Sequence, residues 1–177
     1  MTDRNIEDIY PLSPMQAGML FHALMAPGEE VYVEQTRATL RGDLNVEAFR
    51  QAWQRVVDRN PVLRTSFVWE EVDEPLQVAH RKVELPFTVE DLRELGDDAR
   101  ATAVEEFCRG ERQRGFDLAA AALLRLALLR TGDDAWELVW THHHLLLDGW
   151  SLPILLREVF VSYEALNKRA GGAMGGG

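Results

Sequence analysis

The stretch Trp140-Thr-His-His-His-Leu-Leu-Leu-Asp-Gly-Trp-Ser151 decides the local fold and the chemistry of this chain. It holds three of the five histidines, and it continues the run Trp136 to His142, which predicts a strand. Successive side chains on a strand point to opposite faces, so we expect His142 and His144 on one side and His143 on the other. The segment therefore predicts histidines presented where a strand gives way to a loop.

Three interpretations of this histidine cluster remain open from the residues alone. The histidines are satisfied polar groups at a strand end, or His142 and His144 bind a metal with Asp148 as third ligand, or one of them transfers protons. No further His, Cys or carboxylate is placed to complete a metal shell. Asp148 can also fix the tautomer of an imidazole or pair with an arginine, and Gly149 permits a positive φ or a close backbone approach.

The residues after this stretch predict the clearest helix of the chain. Ser151 is a typical N-cap, and Pro153 falls in the first turn, where its missing N–H does no harm. Apolar residues recur at helical spacing, at Leu152, Leu155, Leu156, Val159, Phe160, Tyr163 and Leu166. Before the histidines, Leu123 to Arg130 predicts a strand joined to theirs by turn residues 131–134. The centre of the fold is thus a hairpin followed by a helix.

The remaining segments predict alternating helices and strands. Ser13-Pro14-Met15-Gln16 has the N-cap, first-turn proline and capping-box glutamine of a helix start. Further helices are predicted after Asn45 and at Asp97 to Arg114, and strands at Val31 to Leu40, Val62 to Trp69 and Leu76 to His80. The sequence therefore predicts an α/β fold, an α+β sandwich with one layer of mixed sheet and helices packed on it.

Length and composition are typical of one globular domain. The chain has 177 residues, of which 46% are hydrophobic and 27% charged. Its net charge of −10 and its pI near 5.0 argue against nucleic acid as a partner. The single cysteine, Cys108, excludes a disulfide framework. The apolar runs are too short to span a bilayer and residues 1–10 lack a signal pattern, so we expect a cytoplasmic protein with no membrane partner.

Four ordered motifs carry a resemblance to a known family. His143 to Gly149 matches the HHxxxDG motif of the condensation domains of nonribosomal peptide synthetases, and Tyr10 to His22 resembles their first core motif. Arg59 to Phe67 resembles their second core motif. Gly115 to Leu118 resembles a further recurring stretch, although Ala122 stands where a proline is usual. By these motifs the chain is identified as a member of that family.

The resemblance implies a fold and a domain organisation. Domains of this family have two chloramphenicol-acetyltransferase-like lobes in a V, with a substrate tunnel between them. The motifs present belong to the first lobe, so residues 1–169 are expected to form an N-terminal lobe without its C-terminal partner. The glycine-rich residues 170–177 are expected to be a flexible tail or an appended linker. The surface meant for the second lobe is expected to favour self-association.

The resemblance also implies an activity. Such domains join two substrates that are held as thioesters on carrier proteins, because the amine of the acceptor attacks the carbonyl of the donor to form an amide. The implied partners are an upstream and a downstream peptidyl carrier protein. Phosphopantetheine arms on those carriers bring the substrates, so no cofactor or metal bound by this domain is implied. A lobe with half of the tunnel wall is expected to have little activity alone.

Two histidines receive distinct roles from the resemblance. His144 is implied to be the active-site histidine that faces the tunnel, whereas His143 turns into the lobe. Trp150 and Ser151, which follow the motif directly, are candidates for the tunnel wall. The site is therefore expected at the junction of the histidine strand and the helix after it.

The other motif residues are implied to support this site. Asp148 is similar to the structural aspartate of the family, which pairs with an arginine equivalent to Arg64. The backbone N–H of Gly149 is implied to lie near the donor carbonyl. The form of the first motif, together with that of the stretch from His143 to Ser151, resembles the subgroup that takes a D-configured donor. A carrier-binding or lobe-pairing module without turnover, and a relative that takes acyl groups from coenzyme A, are the alternative interpretations.

Overall fold

The computed structural model describes residues 5–26 and 31–174. Within this part of the chain the elements are β1 (Ile6–Pro11), α1 (Pro14–Met25), β2 (Val33–Arg41), α2 (Val46–Arg59), a 3₁₀ turn (Pro61–Arg64), β3 (Thr65–Val68), β4 (Leu76–His80), β5 (Phe87–Asp91), α3 (Asp97–Gln113), β6 (Leu124–Arg130), β7 (Ala135–His143) and α4 (Ser151–Met174). Helices and strands are interspersed, as the sequence predicted.

The larger sheet places the histidine strand between two neighbours. Its order is β2-β7-β6-β5, and every pair is antiparallel except β5 with β6. A second sheet of three antiparallel strands has the order β1-β4-β3. The predicted mixed sheet with packed helices is confirmed. The prediction of one layer is wrong, because the short strands β1, β3 and β4 pair with one another rather than with the larger sheet.

The helix starts follow from local sequence. The Ser13 hydroxyl accepts a hydrogen bond from the Gln16 N–H at 3.2 Å, and the Gln16 side chain accepts one from the Ser13 N–H at 3.0 Å. This reciprocal capping box satisfies donors that the first turn leaves without intrahelical partners. The Asn45 side chain accepts from the Ala48 N–H at 3.0 Å at the start of α2. Both predicted helix starts are therefore confirmed.

Two hydrophobic layers enclose β7. On one face, the ring of Trp53 from α2 lies edge-on to Trp140 of β7, with 5.0 Å between ring centroids. Leu155 and Val159 of α4 are buried in the same cluster. On the opposite face, α3 packs against β6 and β7 through a smaller cluster: Val104, Cys108, Ala127, Leu129 and Val139. Because both faces of β7 are covered, its side chains are fixed in position up to the histidines.

Sequence analysis missed β1 and β5 for the same physical reason. Most of their residues are exposed, so neither strand shows the alternation that marks a half-buried strand. The predicted strand Val62 to Trp69 begins instead as the 3₁₀ turn, and β3 covers only its middle. Pro61 accounts for this start, because its fixed φ suits the first position of a helical turn.

Helix α4 extends beyond the predicted start of a flexible tail at residue 170, since the helical backbone runs to Met174. A helix that is already formed gains one hydrogen bond for each residue it adds, so extension is easier than nucleation. Residues 175–177 of the predicted tail lie outside the described residues. None of the described helices is long and apolar enough to cross a bilayer.

Candidate active site

His142 and His144 lie on one side of β7 and share one carboxylate. Strand β2 places Glu34 directly opposite His142 in the antiparallel register. One oxygen of Glu34 lies 3.1 Å from Nε2 of His142, and the other lies 3.2 Å from Nδ1 of His144. The predicted alternation along the strand is therefore confirmed, and a glutamate from the neighbouring strand joins the two rings.

His142 is a core residue. Its side chain has no solvent exposure, and its ring centroid lies 5.3 Å from that of Trp140. Burial lowers the pKa of His142 because it penalises the charged imidazolium, and this effect outweighs the opposite influence of the Glu34 carboxylate. The His142 ring is therefore held neutral inside the lobe.

His143 points to the opposite side of the strand. Its Nδ1 accepts a hydrogen bond from the Leu145 N–H at 3.2 Å. The ring contacts Tyr32 and lies edge-on to Phe116, and it lines a cavity of about 330 Å³. Burial, with smaller contributions from the neighbouring histidines, lowers the pKa of His143 to about 4. This ring is therefore also neutral at pH 7.

His144 is the accessible member of the three. About a third of its side chain, 32%, is exposed. Its backbone N–H donates to the Tyr32 carbonyl at 2.8 Å, and its ring stacks on the Tyr32 ring at 6.4 Å. Tyr32 has a positive φ of 64°, and its hydroxyl lies 3.1 Å from Nδ1 of His22. The rings of His22, Tyr32 and His144 thus lie in sequence, with His144 at one end.

The groove beside His144 runs between the starts of two helices. Its volume is about 230 Å³, and it is lined by α1, by the loop after β7 and by the first residue of α4. The lining residues include Ser13, Met15, Gln16, His144, Asp148 and Ser151. The arrangement presents one imidazole in the lining of an open groove, which is suited to orienting a ligand and exchanging a proton with it.

Asp148 closes the turn that leads into α4. Its Oδ1 accepts hydrogen bonds from the Ser151 N–H at 2.9 Å and from the Ser151 hydroxyl at 2.7 Å. These bonds lower the pKa of the Asp148 carboxyl. The prediction that Asp148 pairs with Arg64 is wrong in this structure, because the carboxylate is satisfied within its own turn. The prediction that Ser151 is the N-cap is wrong too, since Ser151 is the first helical residue.

Arg64 instead joins three elements of the lobe. Its side chain is 4% exposed, and its guanidinium lies 2.5 Å from the Glu7 carboxylate on β1. It also donates to the carbonyl oxygen of His80 on β4 and, at 3.1 Å, to that of Val57 in α2. A buried guanidinium needs such partners because it cannot lose its charge. Arg64 therefore supports the fold around the small sheet.

Gly149 has open space around its Cα. Its φ lies outside the left-handed region, and a Cβ added there would meet nothing within 4 Å. The structure therefore gives neither of the predicted backbone reasons for glycine. Trp150 is 87% exposed, and the Ser151 hydroxyl is engaged by Asp148. Their places in a tunnel wall, and the approach of a donor carbonyl to Gly149, stay predictions.

Sequence reasoning missed Glu34, Tyr32 and Glu7. Each acts on residues more than 50 positions away, and no local pattern marks such a partner. The pairing of β2 with β7 would have located Glu34, because it lies directly opposite His142. Among the described residues, no group of three His, Cys, Asp or Glu side chains is arranged to hold a metal ion.

Arg64 is expected to couple to Glu7 and not to Asp148. Arg64→Ala should lower the free energy of unfolding by about 1–3 kcal/mol, because the carbonyl oxygens of Val57 and His80 lose their buried donor. In double-mutant cycles, Glu7→Gln should show a coupling of roughly 1–3 kcal/mol with Arg64→Ala, and Asp148→Asn should show none. Urea unfolding measures both cycles, with the exposed Arg109→Ala as control. Coupling of Arg64 with Asp148 and not with Glu7 would contradict this expectation and support the Arg64–Asp148 pair that the sequence predicted.

Buried His143 is expected to make the fold sensitive to mild acid. Its pKa is lower in the folded state, so stability is full above the unfolded pKa of about 6.5 and falls as pH drops toward 4. From pH 7 to pH 5 the loss from this residue should be roughly 2 kcal/mol. His143→Asn, which keeps an acceptor for the Leu145 N–H, should reduce the loss by that amount in urea titrations.

An unchanged m-value would show that the same surface unfolds in the wild type and in His143→Asn. Equal pH dependence of the two proteins would contradict the assignment of a neutral, buried His143.

Most of the sequence matches one family. The profile of the Condensation domain family matches residues 6–171. One protein of the linear gramicidin synthase of Brevibacillus parabrevis is 46% identical over 164 residues, which are 93% of this chain and 2% of that protein. One protein of the mycosubtilin synthase of Bacillus subtilis is 42% identical over 164 residues, which are 93% of this chain and 6% of that protein. The chain thus spans a small part of these curated relatives.

Solved structures agree with this assignment at the level of fold. The starter condensation domain of rhizomide synthetase superposes with a TM-score of 0.83 at 23% identity, covering 92% of this chain and 40% of that one. The tallysomycin biosynthesis protein TlmII gives a TM-score of 0.75 at 25% identity, covering 89% of this chain and 38% of that one. The chain therefore aligns with about two fifths of each solved chain. The chain belongs to the condensation-domain family of nonribosomal peptide synthetases, and it carries the HHxxxDG motif of that family.

Proposed function

We propose that this chain is the N-terminal lobe of a condensation domain that forms an amide between a donor thioester and an acceptor amine. The observation that carries this proposal is the position of His144, whose partly exposed side chain lines the groove between α1 and α4. The neighbouring open space at Gly149 leaves room for a donor carbonyl. Residues 1–169 form the lobe in this proposal, and residues 170–177 are its tail.

His144 acts on the acceptor amine. The amine nitrogen attacks the thioester carbonyl, the C–N bond forms, and the C–S bond to the donor carrier breaks. The proton lost by the nitrogen passes to His144 and then to the departing thiolate, so atoms and charges balance. No metal or redox partner is needed for this transfer.

Positioning is the larger part of this catalysis. An α-amino group has a pKa of about 8, so roughly a tenth of it is already the free nucleophile at pH 7, and ground-state deprotonation saves only about 1.4 kcal/mol. Holding two tethered reactants in line contributes roughly 7–11 kcal/mol. His144 therefore acts mainly by orienting the amine and by accepting its proton after attack, when the nitrogen has become strongly acidic.

The partners of this reaction are an upstream and a downstream peptidyl carrier protein in the cytoplasm. Phosphopantetheine arms on the carriers hold the two substrates, and the domain itself needs no resident cofactor. The relatives are synthases many times longer than this chain, which agrees with a lobe that works inside a larger assembly. The donor is D-configured, as the form of the first motif implies.

A binding module without turnover is the second candidate function, and exposed apolar side chains favour it. Met15, Phe21 and Met25 on α1 are 74%, 68% and 68% exposed, and Trp150 and Ile154 at the start of α4 are 87% and 61% exposed. Both helices flank the groove. Large exposed apolar surfaces mark interaction sites, so this surface pairs with the second lobe or, in its absence, with another copy of the chain.

The test of the proposed function restores a second lobe, fused or added in trans, and supplies donor- and acceptor-loaded carrier proteins. Intact-protein mass spectrometry then follows transfer of the donor mass to the acceptor carrier. Transfer should require the second lobe, and His144→Ala should slow it and flatten its pH dependence. No transfer, with a second lobe that works with its own first half, would favour the binding module.

Gly149→Ala is expected to separate function from stability. A Cβ at this position meets nothing within 4 Å, so the melting temperature should not change. Amide formation in the restored domain should fall at least about tenfold, because the methyl group occupies the proposed approach of the donor carbonyl.

Gly115→Ala is the matched control for this substitution. Gly115 has a φ of +59°, so alanine there should cost about 1–2 kcal/mol of stability. Thermal unfolding and the transfer rate are measured for Gly149→Ala and for Gly115→Ala. A Gly149→Ala domain with the wild-type rate would show that the open space is not used.

A further inference from the structure

The carboxylate of Glu34 lies beside two of three buried ring nitrogens. Nδ1 and Nε2 of His142 and Nδ1 of His144 are inaccessible to solvent, and none has an aligned hydrogen-bond partner. The two oxygens of Glu34 are nevertheless within 3.1 Å of Nε2 of His142 and 3.2 Å of Nδ1 of His144. A small rotation of the carboxylate would align both contacts.

The chemistry of these groups fixes which partner donates. An ionised carboxylate only accepts hydrogen bonds, whereas each nitrogen of a neutral imidazole is either a donor or an acceptor. A buried polar atom without a partner costs about 1–3 kcal/mol. The two oxygens can therefore satisfy both rings together only if Nε2 of His142 and Nδ1 of His144 each carry a proton.

Asp148, the other carboxylate of the motif, is not available for this role. Its Oδ1 is occupied by the N–H and the hydroxyl of Ser151. Tyr32 stacks on the face of the His144 ring and receives the His144 backbone N–H, but it gives the ring nitrogen no acceptor. Among the described residues, Glu34 is thus the acid placed against the buried edge of His144.

We propose that Glu34 is a positioning residue that holds His144 in its Nδ1–H tautomer. In this tautomer Nε2 keeps its lone pair, and it is Nδ1, not Nε2, that is found among the buried ring nitrogens without a hydrogen-bond partner. His142 fixes the carboxylate from the core side by donating to its second oxygen. The use of the lone pair to accept the amine proton rests on the proposed function, whereas the tautomer is a property of the chain itself.

The first test measures this tautomer directly in the wild-type chain. Ring-nitrogen NMR of ¹⁵N-histidine-labelled protein at pH 8 distinguishes a protonated from an unprotonated Nδ1. We expect His144 to carry its proton on Nδ1. Glu34→Ala should shift His144 toward the Nε2–H tautomer. A wild-type His144 in the Nε2–H form would overturn the proposal, and this result does not depend on the folding of any variant.

Glu90→Ala is the matched control, because Glu90 is an exposed glutamate on strand β5 of the same sheet. It should leave the His144 ring signals in their wild-type positions. A Glu34→Ala protein that is folded and keeps the wild-type tautomer would also overturn the proposal.

A kinetic test in the restored two-lobe domain separates positioning from folding. Glu34→Ala should lower kcat for transfer about tenfold and leave KM within about twofold. It should have no further effect when combined with His144→Ala, because it acts through that ring. An additive effect of Glu34→Ala in the His144→Ala background would contradict the proposal. If the Nδ1–H tautomer is found but no transfer occurs, the proposed function fails and the positioning role stands.

Discussion

The antiparallel pairing of β2 with β7 is the constraint on which the candidate site depends. It runs from Val33 opposite His143 to Arg41 opposite Ala135, and it puts Glu34 on the same side as His142 and His144. A slip of one residue would turn every side chain of β2 to the other face. Packing on both faces of the sheet opposes that slip, because buried residues on either side would lose their contacts.

The three histidines differ in burial and therefore in the roles they can have. The His142 and His143 rings are kept neutral by desolvation, so they act as packed, uncharged groups within the fold. His144 is one position further along and reaches the groove. Arg64 lies away from the histidines and binds the small sheet through its ion pair with Glu7. The fold thus buries the polar side chains of His142, His143 and Arg64 and leaves the imidazole of His144 accessible.

Local patterns in the sequence were sufficient to predict the helix caps at Ser13 and Asn45, the hairpin and the alternation of the histidines. The four motifs were sufficient to identify the family. The partners of the site residues were not predictable in this way, because Glu34 lies more than 100 positions from His142 and Arg64 lies 57 positions from Glu7. Such contacts depend on strand order and register, and a sequence without its fold does not contain a local signal for either.

Cross-strand proton contacts in solution test the central claim most directly. Val33 and His143 lie opposite each other, and the His144 N–H bonds to the Tyr32 carbonyl, which makes them a closely spaced, non-hydrogen-bonded pair. We predict a strong nuclear Overhauser effect between the Hα atoms of Val33 and His143. A contact from Val33 to the Hα of a residue next to His143 instead would show a shifted register. It would turn Glu34 away from His142 and His144 and contradict the proposed arrangement of the site.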